Sequence, residues 1–86
     1  TKEVAPLDNI SRLSELKVGQ GGRVVKIEAR GPLRRRILEM GVTLGTKVIV
    51  SGMAPLGDPI EIEVKGYHLS LRKEEAACIL VEATKK

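Results

Sequence analysis

The strictest pattern in the chain lies in its second half. Ile60-Glu61-Ile62-Glu63-Val64 and Tyr67-His68-Leu69-Ser70-Leu71 alternate apolar with polar residues around Lys65-Gly66. A period of two sends alternate side chains to opposite faces, which predicts two antiparallel strands with one wet face. Read as a whole, Gly52 to Arg72 is a β-hairpin with an unusual tip, Gly52-Met53-Ala54-Pro55-Leu56-Gly57-Asp58-Pro59. Two prolines stiffen that tip, yet it carries Met53 and Leu56, apolar residues that a free loop has little reason to show.

Elsewhere the pattern changes period. Arg23–Glu28 and Lys47–Ser51 read as strands, and Cys78–Glu82 as a closing strand after a helical turn over Lys73–Ala77. Leu33, Ile37 and Met40 recur at i, i+4 and i+7 and predict a helix of about nine residues. Pro32 suits its first position, where a missing N–H costs nothing, and Gly41 suits a left-handed C-cap. A helix this short holds only by packing against the sheet. Near the start, Asn9 is placed to cap a single helical turn with Ile10, Leu13 and Leu16 on one side, stopped at Gly19. Gly19-Gln20-Gly21-Gly22 reads as a turn taking up positive φ. Val42-Thr43-Leu44-Gly45-Thr46 is a second glycine-centred turn that echoes Val18-Gly19.

Five short strands and one to three short helical pieces predict a mainly β fold, a small five-stranded barrel, because closure removes aggregation-prone sheet edges. The alternative is an open sheet with the Pro32–Met40 helix across one face. Residues 10–83 are expected to form the single domain, with a flexible tail over 1–9 and another over 84–86.

Composition narrows what such a domain can do. Tyr67 is the only aromatic among 86 residues, so Val, Ile and Leu must fill the core, which leaves little room for a deep ligand cavity. Cys78 stands alone, which excludes an internal disulfide and suits a reducing compartment. The N-terminus shows no apolar signal region, and the longest wholly apolar run, Ala76–Val81, is far short of the ~20 residues that span a bilayer. A cytoplasmic protein without membrane insertion is expected. A net charge of +4 assists approach to an acidic partner, a phosphate backbone or an anionic leaflet without choosing among them.

Catalytic and cofactor chemistry find no support. His68 sits on the wet face with no partner in sequence, whereas base catalysis needs one within hydrogen-bond reach. Cys78 lies in an apolar stretch with no flanking His and reads as a small buried thiol. No metal-ligand spacing occurs, although Glu61, Glu63 and His68 could hold a divalent ion weakly across one hairpin face. The glycine run lacks the Lys-Ser/Thr ending of a phosphate loop and a following helix. Arg34-Arg35-Arg36 stands out because a helix start carries partial positive charge, yet this one has arginines early and Glu39 late. Arg35 and Glu39 could pair at i, i+4. The run is either a solvated charge face or a cationic surface for a partner. Met53 and Leu56 either fold back on the barrel mouth or form an exposed contact spot.

Taken in order, Arg36-Ile37-Leu38-Glu39-Met40-Gly41, the Gly45 turn, Ala54-Pro55-Leu56-Gly57-Asp58-Pro59-Ile60 and Leu69-Ser70-Leu71-Arg72-Lys73-x-x-Ala76 resemble the FeoA family from about Leu13 to Val81. Family members often have Pro before the glycine at Gly45, where this chain has Leu44. The resemblance implies an SH3-like barrel in ferrous iron uptake that is not an enzyme, carries no cofactor and is not built around a firmly established iron site. It also implies a partner, the membrane transporter FeoB with its cytoplasmic GTP-binding domain. On that expectation Met53, Leu56 and Asp58 are the contact surface, and Arg34, Arg35 and Arg36 a secondary cationic patch. An apolar tip could equally pair two copies weakly. Nucleic-acid binding and metal sensing through Glu61, Glu63 and His68 are the rival readings; the first lacks stacking aromatics.

Overall fold

The computed structural model describes residues 10–83. Its elements in chain order are β1 (Ile10–Arg12), a 3-10 turn (Leu13–Glu15), β2 (Gly21–Ile27), α1 (Gly31–Glu39), β3 (Lys47–Met53), β4 (Ile60–Val64), β5 (Tyr67–Leu71), α2 (Lys73–Ala76) and β6 (Ile79–Ala83). The strands form one antiparallel sheet in the order β1-β6-β2-β3-β4-β5. The mainly β class holds, with six strands where five were expected. The added strand is Ile10–Arg12, read from sequence as part of a helical turn. Ile10, Leu13 and Leu16 share a helix-like spacing, but Ile10–Arg12 pairs with Leu80–Glu82, and ladder bonds along β6 outweigh one isolated turn. The cap assigned to Asn9 and the tails over 1–9 and 84–86 lie outside the described residues.

The ladder ends at β1 and β5. Between them packs α2, which touches both β5 and the 3-10 turn after β1, so a short helix completes the curl of the sheet. Arg12 fastens the β1 edge: its guanidinium donates to the Glu28 carboxylate at 2.9 Å and the Ala77 carbonyl at 2.7 Å. The hydrogen bond to Glu28, together with that residue's charge, raises the guanidinium further above its ordinary pKa. Arg12 therefore stays cationic.

The core is aliphatic throughout: Leu13, Val24, Ile37, Val42, Val48, Val50, Ile60, Ile62, Val64, Leu71, Ile79 and Val81 are fully enclosed. In β4 the pattern predicted from alternation appears directly, with Ile60, Ile62 and Val64 buried and Glu61 and Glu63 in water. Lys65 and Gly66, with φ of 52° and 88°, form the two-residue turn to β5, both in the left-handed region that such hairpins require. In α1, Ile37 is buried while Leu33, Leu38 and Met40 pack half-buried on the core. The helix stops as predicted: Gly41 has φ +94°, its N–H bonds the Leu38 carbonyl, and the Val42 N–H bonds that of Ile37.

The two glycine-centred turns are a matched pair at opposite ends of the β2–β3 ladder. Gln20 N–H bonds the Lys17 carbonyl and Thr46 N–H bonds that of Thr43, with Gly19 (φ +96°) and Gly45 (φ +87°) in the third turn position. Each glycine then donates across to the opposite strand, Gly19 to Val50 and Gly45 to Val24, while those same residues bond back to Gln20 and Thr46. Two residues thus face one, a glycine-led β-bulge at each end. Gly21 and Gly22, assigned from sequence to the turn, instead open β2, because a Cβ on either would run into the backbone carbonyl of Val48 or Glu82.

Candidate functional site

β3 and β4 are joined by the tip, and local chemistry shapes it. Gly57 N–H donates to the Ala54 carbonyl at 2.8 Å, closing a β-turn with Pro55 in its second position and Gly57 in its fourth, where those residue types are favoured. Ala54 N–H donates to the Pro59 carbonyl at 3.1 Å and ties the loop at its neck. The turn holds Leu56 out in solvent at 91% exposure, while Met53, at the end of β3, is 39% exposed. Neither folds back into the core.

Asp58 lies in the same loop but is engaged within the chain. Its Oδ1 accepts the backbone N–H of Lys73 at 3.0 Å, the first residue of α2. Below it, a cavity of about 390 Å³ is lined by Arg36, Asp58, Pro59, Ser70, Arg72 and Glu75, among others. Glu75 is the one buried charged residue among those described. One of its carboxylate oxygens accepts the Arg72 N–H at 2.8 Å and the other faces Arg36 Nε at 3.2 Å. The tip, α2 and α1 are thereby linked by polar contacts in series.

The arginine run divides. Arg36 turns toward Glu75. Arg34 reaches the Ile27 carbonyl at 3.5 Å, and Arg35 is exposed on the outer side of the helix. No ion pair joins Arg35 to Glu39 among the described residues; the charge partner in this region is Glu75, a residue that sequence spacing could not bring to α1.

On the hairpin's wet face, register places His68 opposite Glu63, and the His68 Nε2 stands 3.8 Å from a Glu63 carboxylate oxygen with both side chains about half exposed. Glu61 is opposite Ser70 instead. The described residues hold no group of three His, Cys, Asp or Glu arranged for a metal ion, so the structure assembles two of the three suggested ligands and not the third. Cys78 is half-buried, with Sγ donating to the Glu74 carbonyl at 3.5 Å.

Sequence reasoning missed Tyr67 and Glu75. The Tyr67 hydroxyl donates to the Met40 carbonyl at 2.8 Å, joining the start of β5 to the end of α1. A lone aromatic beside a turn glycine was the only available hint. Glu75 gave a stronger one, because an acid at the third position of a helix commonly bonds back to the cap backbone.

Comparison with known proteins adds the relatives. The profile of the FeoA domain matches residues 11–83. The Fe(2+) transport protein A/Fe(2+) transporter FeoB fusion protein of Porphyromonas gingivalis is 48% identical over 71 residues, covering 83% of this chain. The chain spans only 8% of that relative's length. The NMR structure of a FeoA-like protein from Clostridium acetobutylicum superposes with a TM-score of 0.82 at 40% identity, over 91% of each chain. Stenotrophomonas maltophilia FeoA complexed with zinc, described as a prokaryotic SH3 domain protein, gives 0.71 at 28% identity over 81% of this chain and 87% of its own.

Proposed function

The chain belongs to the FeoA family, and from that premise we propose that it is a non-catalytic accessory protein of ferrous iron uptake. It docks on the cytoplasmic GTP-binding part of a FeoB-type transporter and modulates iron import. The fused relative supports this reading, because one polypeptide there carries both partners' names and covalent linkage keeps two domains at high effective concentration. A cytoplasmic location follows from that partner; no described helix is long and apolar enough to cross a membrane.

The observation that carries the docking surface is Leu56. An exposed leucine on a proline-stiffened, hydrogen-bonded turn is pre-organised for contact, since little conformational freedom is lost when a partner covers it. Met53 extends the apolar spot along β3. Arg34 and Arg35 remain secondary candidates, whereas Arg36 and Asp58 reach a partner only if their internal bonds yield.

Titration of the chain against the isolated cytoplasmic domain of FeoB tests this. The Met53→Ser, Leu56→Ser double variant should keep its fold, because neither side chain belongs to the buried core, and lose at least about tenfold in affinity. Unchanged affinity in the folded double variant removes the tip from the interface.

A further inference from the structure

We propose that Lys26, Arg30, Arg34 and Arg35 form a second interaction surface, which rests on the anionic headgroups of a lipid membrane. The four cations are continuous. Lys26, Arg30 and Arg34 line one shallow hollow beside the β2–α1 connection, and Arg34 and Arg35 line the next along the helix. None of them enters an ion pair among the described residues. Glu28, the acid nearest the connection, is held by Arg12 at 2.9 Å, so its charge is already answered from behind. Two acids border the face, Glu28 in the first hollow and Glu39 in the second, and of these Glu28 is already paired with Arg12. The start of α1 adds its partial positive charge, with no acid in the first turn to offset it. Such an arrangement works against the helix, and of the run only Arg36 has a carboxylate partner among the described residues.

Arg36 is set apart from this face by its pairing with Glu75 at 3.2 Å, although its side chain stays largely exposed. No residue of the tip lines either hollow, so the cationic surface stays free while the tip is occupied. A fluid array of lipid phosphates suits it better than nucleic acid. Its charges are lysine and arginine side chains with no stacking ring among them, and the one aromatic, Tyr67, is tied to Met40 at the far end of the helix. Each basic group near an anionic leaflet strengthens binding about fivefold, so four give a weak, salt-sensitive attachment. That is enough to orient a chain already held beside a membrane protein. The proposal rests on the transporter reading for its location, but its test contains no transporter, so either can fail alone.

The test is co-sedimentation of the full chain with phosphatidylcholine vesicles, with and without about one quarter phosphatidylglycerol, at low and physiological salt. Binding should require the anionic lipid and fall as salt rises. Arg30→Glu with Arg35→Glu should weaken it about tenfold or more; Arg30→Ala with Arg35→Ala serves if the reversal disturbs folding. Lys17→Glu with Lys65→Glu, the same change in net charge elsewhere, should weaken it much less, and Leu56→Ser should leave it intact. Three results overturn the proposal: no dependence on anionic lipid, equal loss in both charge-reversal pairs, or a single-stranded RNA held by the same arginines more tightly than the vesicles at physiological salt.

Discussion

Asp58 illustrates how a residue on an exposed loop can be structural. The first N–H groups of a helix have no partner within it, and Arg72, at the N-cap of α2, makes no side-chain cap. Asp58 supplies the missing acceptor from fifteen residues upstream, at 3.0 Å from the Lys73 nitrogen. Its negative charge also suits the helix start. The contact ties the loop that displays Leu56 to the start of α2, which gives Asp58 a bracing role whether or not it also meets a partner. Asp58→Ala should destabilise the fold by about 1 kcal/mol, as loss of a cap does, and speed amide exchange at Lys73. Asp58→Asn keeps an acceptor oxygen and should retain most of both. If the two variants behave alike in urea denaturation and in exchange, the charge itself matters and the bracing role is wrong.

Among the elements, legibility followed how local the deciding interaction is. β4, β5, their Lys65-Gly66 turn and the Gly41 stop of α1 were readable, because alternation and turn chemistry are properties of adjacent residues. β1 was not, since three residues carry too little pattern and its pairing with β6 is made some seventy residues later. Bulges in β2 near Val25 and in β3 near Ser51 interrupt the alternation, which is why Val25 and Lys26 are both exposed between buried Val24 and Ile27. At the tip, Met53 and Leu56 were legible as apolar residues out of place, but the partners of Asp58 and Arg36 were not, because α2 reaches both only in the folded chain. The matched turns allow a direct test of turn chemistry. Leu44 occupies the second position of the Thr43–Thr46 turn, with Gly45 at positive φ after it, the type II arrangement in which proline is favoured. Leu44 is 62% exposed and its N–H makes no backbone bond among the described residues, so little is lost by removing either. Leu44→Pro should stabilise the protein by about 0.5 kcal/mol, roughly 3 °C in Tm, by restricting the unfolded chain. A lower Tm would mean that Thr43 is not held in the extended conformation that a following proline requires.

Across the whole molecule, stability is unevenly distributed, and the division falls between sheet and helix. Strands β2, β3, β4 and β6 share ladders, bulged near Val25 and Ser51, and an aliphatic core, so their paired amides should open only with global unfolding. Helix α1 is held differently: by Ile37, by half-buried Leu33, Leu38 and Met40, and by polar ties from Arg34 to Ile27, Arg36 to Glu75 and Tyr67 to Met40. Nine residues cannot sustain a helix alone, so its persistence depends on those ties. The Tyr67 bond matters most at the C-terminal end, where the Met40 carbonyl would otherwise look only to water. Native-state hydrogen exchange should show the last amides of α1 opening at lower free energy than those of the sheet. Tyr67→Phe should widen that gap by about 1 kcal/mol while moving the sheet amides by less, because the ring stays in place and only the hydroxyl is lost. Equal loss of protection in helix and sheet would instead make the fold a single cooperative unit. In that case a disturbance of the tip could not reach α1 through α2 and Glu75 without loosening the sheet as well.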